Sequence, residues 1–459
     1  MKNRLYQIYA VTVCIVLMIP AVGMMFWPTN ETTENTPMVE KPSFIVDGSP
    51  NTNWLADWGA WFENHYAFRQ HLITANSLLY TELFNTSPVE KVLPGQDDWL
   101  FYRETLADYT GENLLSEREL FNIVHNLKLM QWSAETQGAS FMVTVCPNKS
   151  TIYPEKMDSG YIAGSRKNLD LFAEAMEANG IPYTDLSSVL TDNKEEMIYY
   201  QRDSHWSQTG ALFGYTQLMN SLGLAPKEYT ATGSAVHKGD LDEMLLPKAW
   251  HEEQEDDYSG NFTYQSSTED NMEEFIHTSN PQGQGTLLMF RDSFGTNIIP
   301  YLADTWAQAY FSRLVPYNLV QIQSLKPNTV IVERGERRIR SFEESAPVMI
   351  MPGLSKINAV ETGETLRAEM VKQGDFVRIH GQVPVKDPND EFYLQISDTS
   401  ENLTQTVPVF YTVDGNRNNG FDVYLLKNQI NSNDRIEIVK TNQDTAVSYA
   451  VRIAEGEEK

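Results

Sequence analysis

The chain has 459 residues and a formal net charge of −27, from 62 acidic and 35 basic residues. This length allows two or three domains with substantial cores. The acidic balance argues against nucleic acid as a partner, because phosphate binding requires clustered lysine and arginine. The two cysteines exclude a disulfide framework, since Cys14 lies in an apolar N-terminal run and Cys146 ends a predicted buried strand. For Cys146 a core position is favoured over a role as nucleophile.

The N-terminus carries Lys2 and Arg4 ahead of an uncharged apolar run from Ile8 to Trp27. This run is long enough to cross a bilayer as a helix. Basic residues before it, and acidic residues after it at Glu31, Glu34 and Glu40, predict an internal N-terminus and an extracellular body. The alternative is a cleaved signal peptide, but the run is long for one and lacks a clear small-residue cleavage site. We therefore expect a single-pass anchor that is retained in the cell membrane.

The chain then passes from this run into its folded body. A stretch from Pro28 to Pro42, rich in Thr, Asn, Glu and Pro, predicts a linker, so that residues 1–42 form an anchor and linker. Trp54 to Leu83 has a helical period and many aromatic residues, which favours a helical layer packed on the core. Gly95 to Tyr102 predicts a tight turn that leads into a strand.

Helices and strands alternate from there to about residue 345. A capping box at Ser116–Glu119 opens a helix that ends at Gly138, and a second helix is predicted from about Arg166 to Asn179. The predicted strands are Ser140–Cys146, Ile181–Thr184, Thr286–Phe290, Trp306–Phe311 and Thr329–Glu333. This alternation predicts an α/β domain over residues 43–345, with a mostly parallel sheet covered by helices on both faces.

Residues 225–283 interrupt the alternation with a polar, acidic stretch. An insertion of this length in an α/β domain is typical of a lid or a substrate loop. It includes His237-Lys238-Gly239-Asp240-Leu241 and an acidic run from His251 to Asp257. That run offers ligands to a cation such as calcium, but it lacks alternating ligand spacing and a turn glycine, so a solvated loop is favoured. We therefore expect no metal site.

After about Ser345 the pattern changes to short alternating runs separated by Asn, Asp and Gly turns. This pattern predicts an antiparallel β-sandwich over residues 346–459. Because a fold does not fix a function, the sandwich is either a glycan-binding module or a purely structural one.

Two short motifs carry the candidate chemistry. Asp203-Ser204-His205-Trp206 precedes a helix predicted from about Ser207 to Leu222, and Arg291-Asp292-Ser293-Phe294-Gly295 lies between a buried strand and a helix predicted near Thr296. Asp, His and Ser are the orienter, base and nucleophile of a serine site. Asp203 and His205, two apart in an extended segment, would point the same way. The turn at Ser293 would supply backbone N–H groups to an oxyanion. Each motif alone is weak, since Asp-x-His before a helix is often only a cap.

Together the motifs resemble the SGNH-type domain of the alginate O-acetyltransferases (AlgX/AlgJ-like) and their Gram-positive DHHW relatives. The similar pieces are Trp61-Phe62-Glu63-Asn64 with Phe68-Arg69, Gly95 to Tyr102, Pro147-Asn148-Lys149 with Tyr153-Pro154, Asp203 to Ser207, Arg291 to Gly295, and Val332-Glu333-Arg334. The resemblance covers roughly residues 50 to 340. It implies that Ser293 is the nucleophile, His205 the base and Asp203 the orienter.

The same resemblance implies further roles and one departure. At the similar pieces we expect substrate binding by Arg291, Trp206, Lys149, Tyr153 and Arg334. The Gram-positive relatives often have His where this chain has Ser204, a position expected to face away from the Asp–His pair, so we expect activity to be unaffected. The resemblance does not extend to the predicted sandwich, and alginate is therefore not implied as the substrate.

Members of this family receive acetyl groups exported by a membrane-bound O-acyltransferase and pass them to an extracellular polysaccharide. The resemblance thus implies an acetyltransferase that needs no cofactor, with that acyl donor, a polysaccharide acceptor and the membrane as partners. Three hypotheses follow: an O-acetyltransferase, a carbohydrate esterase with the same triad and water as acceptor, and a non-catalytic glycan-binding protein. The presence of Asp203, His205 and Ser293 counts against the third. Sequence does not separate the first two.

Overall fold

The computed structural model describes residues 2–30, 38–46, 48–400, 402–414, 417–431, 433–442 and 445–456. The helices are α1 (Lys2–Gly23), α2 (Trp54–His65), α3 (Arg69–Phe84), α4 (Leu106–Thr110), α5 (Glu117–Glu135), α6 (Lys149–Ile152), α7 (Asn168–Asn179), α8 (Ser187–Asp192), α9 (Gln208–Ser221), α10 (Asp240–Leu245), α11 (Ile299–Thr305) and α12 (Gln321–Leu325). The strands are β1 (Ile45–Val46), β2 (Ser49–Pro50), β3 (Val92–Pro94), β4 (Leu100–Tyr102), β5 (Ser140–Cys146), β6 (Tyr183–Asp185), β7 (Gly233–Lys238), β8 (Glu252–Asp257), β9 (Gln265–Ser266), β10 (Phe275–Ser279), β11 (Thr286–Phe290), β12 (Gln308–Ser312), β13 (Thr329–Gly335), β14 (Val360–Gln373), β15 (Phe376–Gln382), β16 (Glu391–Ser397), β17 (Leu403–Pro408), β18 (Phe410–Asp414), β19 (Arg417–Leu426), β20 (Arg435–Asn442) and β21 (Thr445–Glu455).

The first large sheet has the strand order β6-β5-β13-β11-β12-β10-β9. The strands from β6 to β12 are parallel neighbours, and β10 and β9 add an antiparallel edge. Side chains alternate between two cores, as the pleat of a strand requires. Leu288, Phe290, Val330 and Val332 pack with residues of α5 and α7, whereas Leu287, Met289 and Ile331 pack with residues of α9 and α11. The predicted α/β sheet with helices on both faces is confirmed.

The helix after Ser293 begins later than predicted. A 3₁₀ turn spans Phe294–Thr296, and α11 begins only at Ile299. Pro300 explains the shift, because proline lacks an N–H and fits the first turn of a helix but not its interior. The other predicted helices near the site hold, since Ser116 and Glu119 form the capping box of α5 and the Ser207 side chain caps α9.

The insertion at residues 225–283 is more ordered than a loop. The acidic run at residues 252–257 forms β8, which pairs with β7 as a hairpin. The prediction that the main sheet resumes at Thr286 was wrong, because β9 and β10 from the insertion already belong to it. Edge strands of this kind lack a continuous apolar run: Ile276 and Thr278 of β10 are buried, whereas Phe275 is exposed and His277 and Ser279 are partly exposed.

The second large sheet lies in the C-terminal part and has the order β17-β16-β20-β21-β14-β15-β19-β18. Neighbouring strands in this sheet are antiparallel, except for β14 and β21, which are parallel to each other. Val409 alone connects the two outermost strands, β17 and β18. The sheet therefore curls so that its two edges come together. The predicted strand-rich module is thus confirmed as a sandwich close to a barrel. The pattern missed β14, since most of its side chains are exposed.

This module shares a core with the α/β part. Helix α5 packs on β18, where Asn126 Nδ2 donates to the carbonyls of Tyr411 (2.8 Å) and Phe342 (3.0 Å). Arg118 Nη1 donates to the Asp390 carbonyl at 2.7 Å, with its guanidinium 4.5 Å from the centre of the Tyr411 ring. We propose that the domains span residues 1–42, 43–345 and 346–459. A continuous apolar core crosses the second of these boundaries.

The N-terminal helices are less buried than expected. Helix α2 has no buried residue, so the predicted helical layer on the core is wrong for this helix; its tryptophans instead pack edge-on against one another, with Trp58 and Trp61 at 5.0 Å. Within the described residues, α1 is the helix whose length and composition permit it to cross a membrane, over Tyr6–Gly23, and a signal sequence has the same features. Residues 31–37 of the predicted linker, with Glu31 and Glu34, lie outside the described residues.

Candidate active site

The structure brings the two motifs into contact. Ser293 follows β11 at the carboxyl edge of the parallel strands, and Asp203 and His205 lie in the loop before α9. His205 Nε2 is 2.9 Å from Ser293 Oγ, and His205 Nδ1 is 2.9 Å from Asp203 Oδ1. These distances are those of hydrogen bonds, and they form a continuous line from carboxylate to imidazole to hydroxyl.

Trp206 fastens the two motifs together. Its ring is fully buried, and its Nε1 donates to the Phe294 carbonyl at 2.9 Å. In return, Asn297 Nδ2 donates to the Trp206 carbonyl at 2.6 Å. Helix α9 passes so close to this ring at Gly214 that an added Cβ would lie only 2.5 Å from it. The loop bearing Asp203 is therefore held against the turn bearing Ser293 by contacts that depend on specific residues.

Asp203 is buried and fully engaged by donors. Its Oδ1 accepts from the backbone N–H and Nδ1 of His205, and its Oδ2 accepts from His237 Nε2 (2.9 Å) and the Asp240 N–H (2.9 Å). Burial disfavours the charged carboxylate, but the hydrogen bonds from both imidazoles outweigh it and hold the pKa of Asp203 well below its usual range. Burial likewise opposes the His205 imidazolium, yet the Asp203 carboxylate raises the pKa of His205 above its ordinary value.

His237 and Asp240 are site residues that the sequence pattern did not identify. Both come from the insertion, whose strand β8 is held beside the Asp203 loop because Glu253 accepts the N–H groups of Gln201 (2.6 Å) and Arg202 (2.9 Å). The His237 ring stacks on Tyr200, with centroids 3.6 Å apart. The insertion therefore completes the surroundings of Asp203.

Ser204 does not face away from the Asp–His pair as expected. Its Oγ lies 3.2 Å from His205 Nδ1 and donates to Asp240 Oδ2 at 2.7 Å. The reason is that the segment is a bent loop, closed by a bridge between Tyr199 and Trp206, and not an extended strand. Ser204 thus contacts the His205 ring on the side opposite Ser293.

The five residues expected to bind substrate are buried. Lys149 Nζ donates to the carbonyls of Tyr200, Gln201 and Asp203 at 3.1, 3.1 and 2.5 Å, and burial lowers its pKa to about 8. Arg291 donates to the carbonyls of Asn271 and Glu273, Tyr153 to that of Lys194, and Arg334 to Ser341 Oγ, while Trp206 holds Phe294 as described above. These contacts favour positioning roles for Lys149, Tyr153 and Trp206. Direct contact of the five with substrate stays a prediction.

Asp203, His205 and Asp240 have potential ligand atoms within 4.8 Å of one another, a spacing that suits a cation. The same atoms take part in the hydrogen bonds to Ser204, His237 and the backbone. We therefore interpret the cluster as a hydrogen-bond network.

The arrangement suits nucleophilic acyl transfer. His205 Nε2 can accept the Ser293 proton, and Asp203 fixes the tautomer and stabilises the imidazolium. Two of the expected oxyanion donors are already engaged, because the Asp292 N–H donates to Glu333 Oε2 at 3.1 Å and the Phe294 N–H donates to Asp292 Oδ1 at 2.8 Å. The remaining N–H groups of this turn stay the predicted donors.

Residues 92–283 match the family model described as the SGNH hydrolase-like domain of acetyltransferase AlgX. This segment of the chain is therefore similar to the SGNH hydrolase-like domain of AlgX. The matched range contains Asp203, His205 and His237 and ends before Ser293, which the structure places 2.9 Å from His205. No curated protein matches the chain in sequence.

Solved structures similar to this chain include Bacillus cereus PatB1 with a sulfonyl adduct, at 18% identity over 54% of this chain and 95% of that chain, with a TM-score of 0.43. The O-acetyltransferase domain of Pseudomonas putida AlgJ has 17% identity over 54% of this chain and 92% of its own, with a TM-score of 0.39. Pseudomonas aeruginosa AlgX has 14% identity over 76% and 94%, with a TM-score of 0.39.

We expect the N–H of His237 to matter to the reaction. Replacing His237 by Phe keeps a ring on Tyr200 but removes the donor to Asp203, whereas His237→Gln keeps an N–H donor. A hydrogen bond to a charged group contributes about 1.5–3 kcal/mol, so His237→Phe should lower kcat/KM for p-nitrophenyl acetate about ten- to hundredfold. His237→Gln should retain most of the activity. The opposite result on folded protein, with activity kept in His237→Phe and lost in His237→Gln, would show that the ring and not the donor matters.

Proposed function

We propose that the protein is a membrane-anchored, extracellular O-acetyltransferase that acts on a polysaccharide through an acetyl-Ser293 intermediate. The observation that carries the proposal is the hydrogen-bonded line from Asp203 through His205 to Ser293, built on a segment that matches an acetyltransferase family model. Serine acyl transfer needs a nucleophile, a base and an orienter in this relation.

In the first half-reaction Ser293 Oγ attacks the carbonyl carbon of an acetyl ester while its proton passes to His205 Nε2. The ester C–O bond then breaks, and the leaving alcohol takes the proton from His205. In the second half-reaction His205 removes the proton from a sugar hydroxyl, whose oxygen attacks the acetyl carbon. The bond between that carbon and Ser293 Oγ then breaks, and His205 returns the proton to Oγ. Asp203 remains ionised throughout, because its pKa lies well below the working pH.

The proposed partners follow from the chain's organisation. Helix α1 would anchor the domain in the cell membrane, where an acetyl group exported by a membrane-bound O-acyltransferase would emerge. A polysaccharide on the outer side would be the acceptor. The acidic surface suits a role away from nucleic acid.

Transfer and hydrolysis are separated by an acceptor experiment. The full chain in detergent should hydrolyse p-nitrophenyl acetate slowly, and oligosaccharide acceptors should speed p-nitrophenol release and appear in the mass spectrum 42 mass units heavier, about the mass of one acetyl group replacing hydrogen. The control is the Ser293→Ala protein with the same acceptors. If acetylated oligosaccharides only lose acetyl groups and none gains one, the protein is a carbohydrate esterase.

A further inference from the structure

A cavity rich in arginine is lined in part by Asp292, the residue that precedes the proposed nucleophile. It measures about 230 Å³, and its lining includes Arg291, Asp292, Arg313, Arg334 and Arg338. Asp292 is the residue directly before Ser293, so the cavity wall and the nucleophile share one turn. Its size is below that of cavities for drug-sized ligands, which are about 300–1,000 Å³, and therefore suits a single sugar-sized group.

The topology explains why these arginines converge. Strand β11 lies between β13 and β12, and all three are parallel. Arg291 follows β11, Arg313 follows β12, and Arg334 lies near the end of β13, so three guanidinium groups are brought to the same carboxyl edge. Ligands of open α/β sheets bind outside this edge.

The positive charge in the cavity is not neutralised by ion pairs. Arg202, Arg340 and Arg378 each form an ion pair elsewhere in the protein. Within the described residues, no carboxylate lies within ion-pair distance of Arg291, Arg313, Arg334 or Arg338. The nearby Asp292 carboxylate accepts the backbone N–H groups of Phe294 (2.8 Å) and Gly335 (2.9 Å), and Glu344 in the lining is exposed.

Glu333, a buried acid on β13, accepts the backbone N–H of Asp292 at 3.1 Å. Burial and the neighbouring Asp292 charge raise the pKa of Glu333 well above its ordinary value, which favours its neutral form. Burial, together with repulsion from Arg338 and Arg313, lowers the pKa of Arg334 to about 10, although the Asp292 and Glu344 carboxylates oppose this shift. Four guanidiniums thus face two carboxylates, in a chain that is otherwise strongly acidic.

The remaining lining favours a sugar that carries an oxyanion. Arg334 lies 4.6 Å from the centre of the Tyr317 ring, and the Ser341 and Ser345 side chains also line the cavity. Planar guanidinium groups match the geometry of carboxylate and phosphate, and an aromatic face and hydroxyls suit a sugar ring. From this geometry we infer that the arginine cavity binds a carboxylate or phosphate group of the acceptor glycan and so presents a neighbouring sugar hydroxyl to Ser293.

This inference rests on the proposed function, and binding tests it separately from acyl transfer. The full-chain Ser293→Ala protein in detergent is titrated calorimetrically with digalacturonate, with its uncharged dimethyl ester and with glycerol 3-phosphate. We expect at least one anion to bind about tenfold or more tightly than the ester, because charge-assisted hydrogen bonds to guanidinium are the strong ones. Binding of only the uronate or only the phosphate identifies the source of the oxyanion.

Variants assign that binding to the cavity. Arg338 is exposed and Arg313 is partly exposed, so their substitution should not prevent folding. Arg338→Gln and Arg313→Gln should each weaken anion binding about tenfold, whereas Arg166→Gln, which removes one exposed arginine paired with Glu174, should leave the dissociation constant unchanged. Equal affinity for anion and ester, no binding of either anion, or equal losses in Arg338→Gln and Arg166→Gln would overturn the inference. Anion binding without any acetyl transfer would instead overturn the proposed function alone.

Discussion

Ser293→Ala is expected to abolish p-nitrophenol release from p-nitrophenyl acetate, with a fall in kcat of about 10⁴-fold or more. Within the described residues, Ser293 Oγ is the only oxygen within hydrogen-bond distance of His205 Nε2, at 2.9 Å. Without it no acetyl-enzyme forms, and the residual rate is that of water in a shaped site. His205→Ala should cost about as much, and the double variant no more than either single one, because the residues act as a unit. Initial rates on folded protein provide the measurement.

Ser204→Ala is the matched control for this prediction. Its hydroxyl lies 3.2 Å from His205 Nδ1, on the opposite side of the ring, and donates to Asp240. Like Ser293→Ala, this substitution removes a hydroxyl that contacts the His205 ring, but it does so at Nδ1 and not at Nε2. We expect Ser204→Ala to keep kcat within a few-fold of the original. Full activity of folded Ser293→Ala, or a loss in Ser204→Ala as large as that in Ser293→Ala, would contradict the assignment of the nucleophile.

Much of the fold was predictable because buried parallel strands appear as continuous apolar runs. Thr286–Phe290 and Ser140–Cys146 are such runs, and the structure has strands with the same limits. Edge strands follow no such rule. Strand β10 buries only Ile276 and Thr278, and β14 is exposed over most of its length, so hydrophobic patterning could not identify them.

The contacts of the site were predictable only where they are local or belong to a sheet edge. Asp203 and His205 are two residues apart, and Ser293 follows a strand, so their types and places pointed to one site. His237 reaches the same carboxylate from 34 residues further along the chain. That approach depends on the hairpin register, which pairs His237 with Glu253, and on Glu253 binding the backbone of Gln201 and Arg202. One available signal was a histidine followed closely by an aspartate in an otherwise polar insertion.

The same limit applies to the arginines. Arg291 and Arg334 were expected to contact substrate, whereas Arg313 and Arg338 carried no motif. Only the order β13-β11-β12 brings their strand ends side by side. Sequence reasoning can state that each arginine follows a strand, but the neighbours of a strand in a parallel sheet are set by the crossover connections.

Asp203→Asn is expected to lower kcat about 10⁴-fold while leaving Ser293 and His205 in place. The carboxylate accepts from His205 Nδ1 on one oxygen and from His237 Nε2 and the Asp240 N–H on the other. An amide keeps only one accepting oxygen, and its NH₂ group must face either an imidazole or an N–H donor. If the NH₂ faces His205, it favours the tautomer that has its proton on Nε2, which cannot accept the Ser293 proton.

The pH dependence distinguishes this electrostatic role from a structural one. His205 works as a base only when neutral, so activity rises with pH through its pKa, and the Asp203 carboxylate raises that pKa above the ordinary value. Asp203→Asn removes the cause of the shift, and burial then lowers the pKa, so the acid limb of the kcat/KM profile should move to lower pH. Asp240→Asn is the control, since its carboxylate is 3.7 Å from His205 Nδ1 and accepts from Ser204. Asp240→Asn should cost far less, and an equal loss in both variants with an unmoved acid limb would refute Asp203 as the orienter of the base.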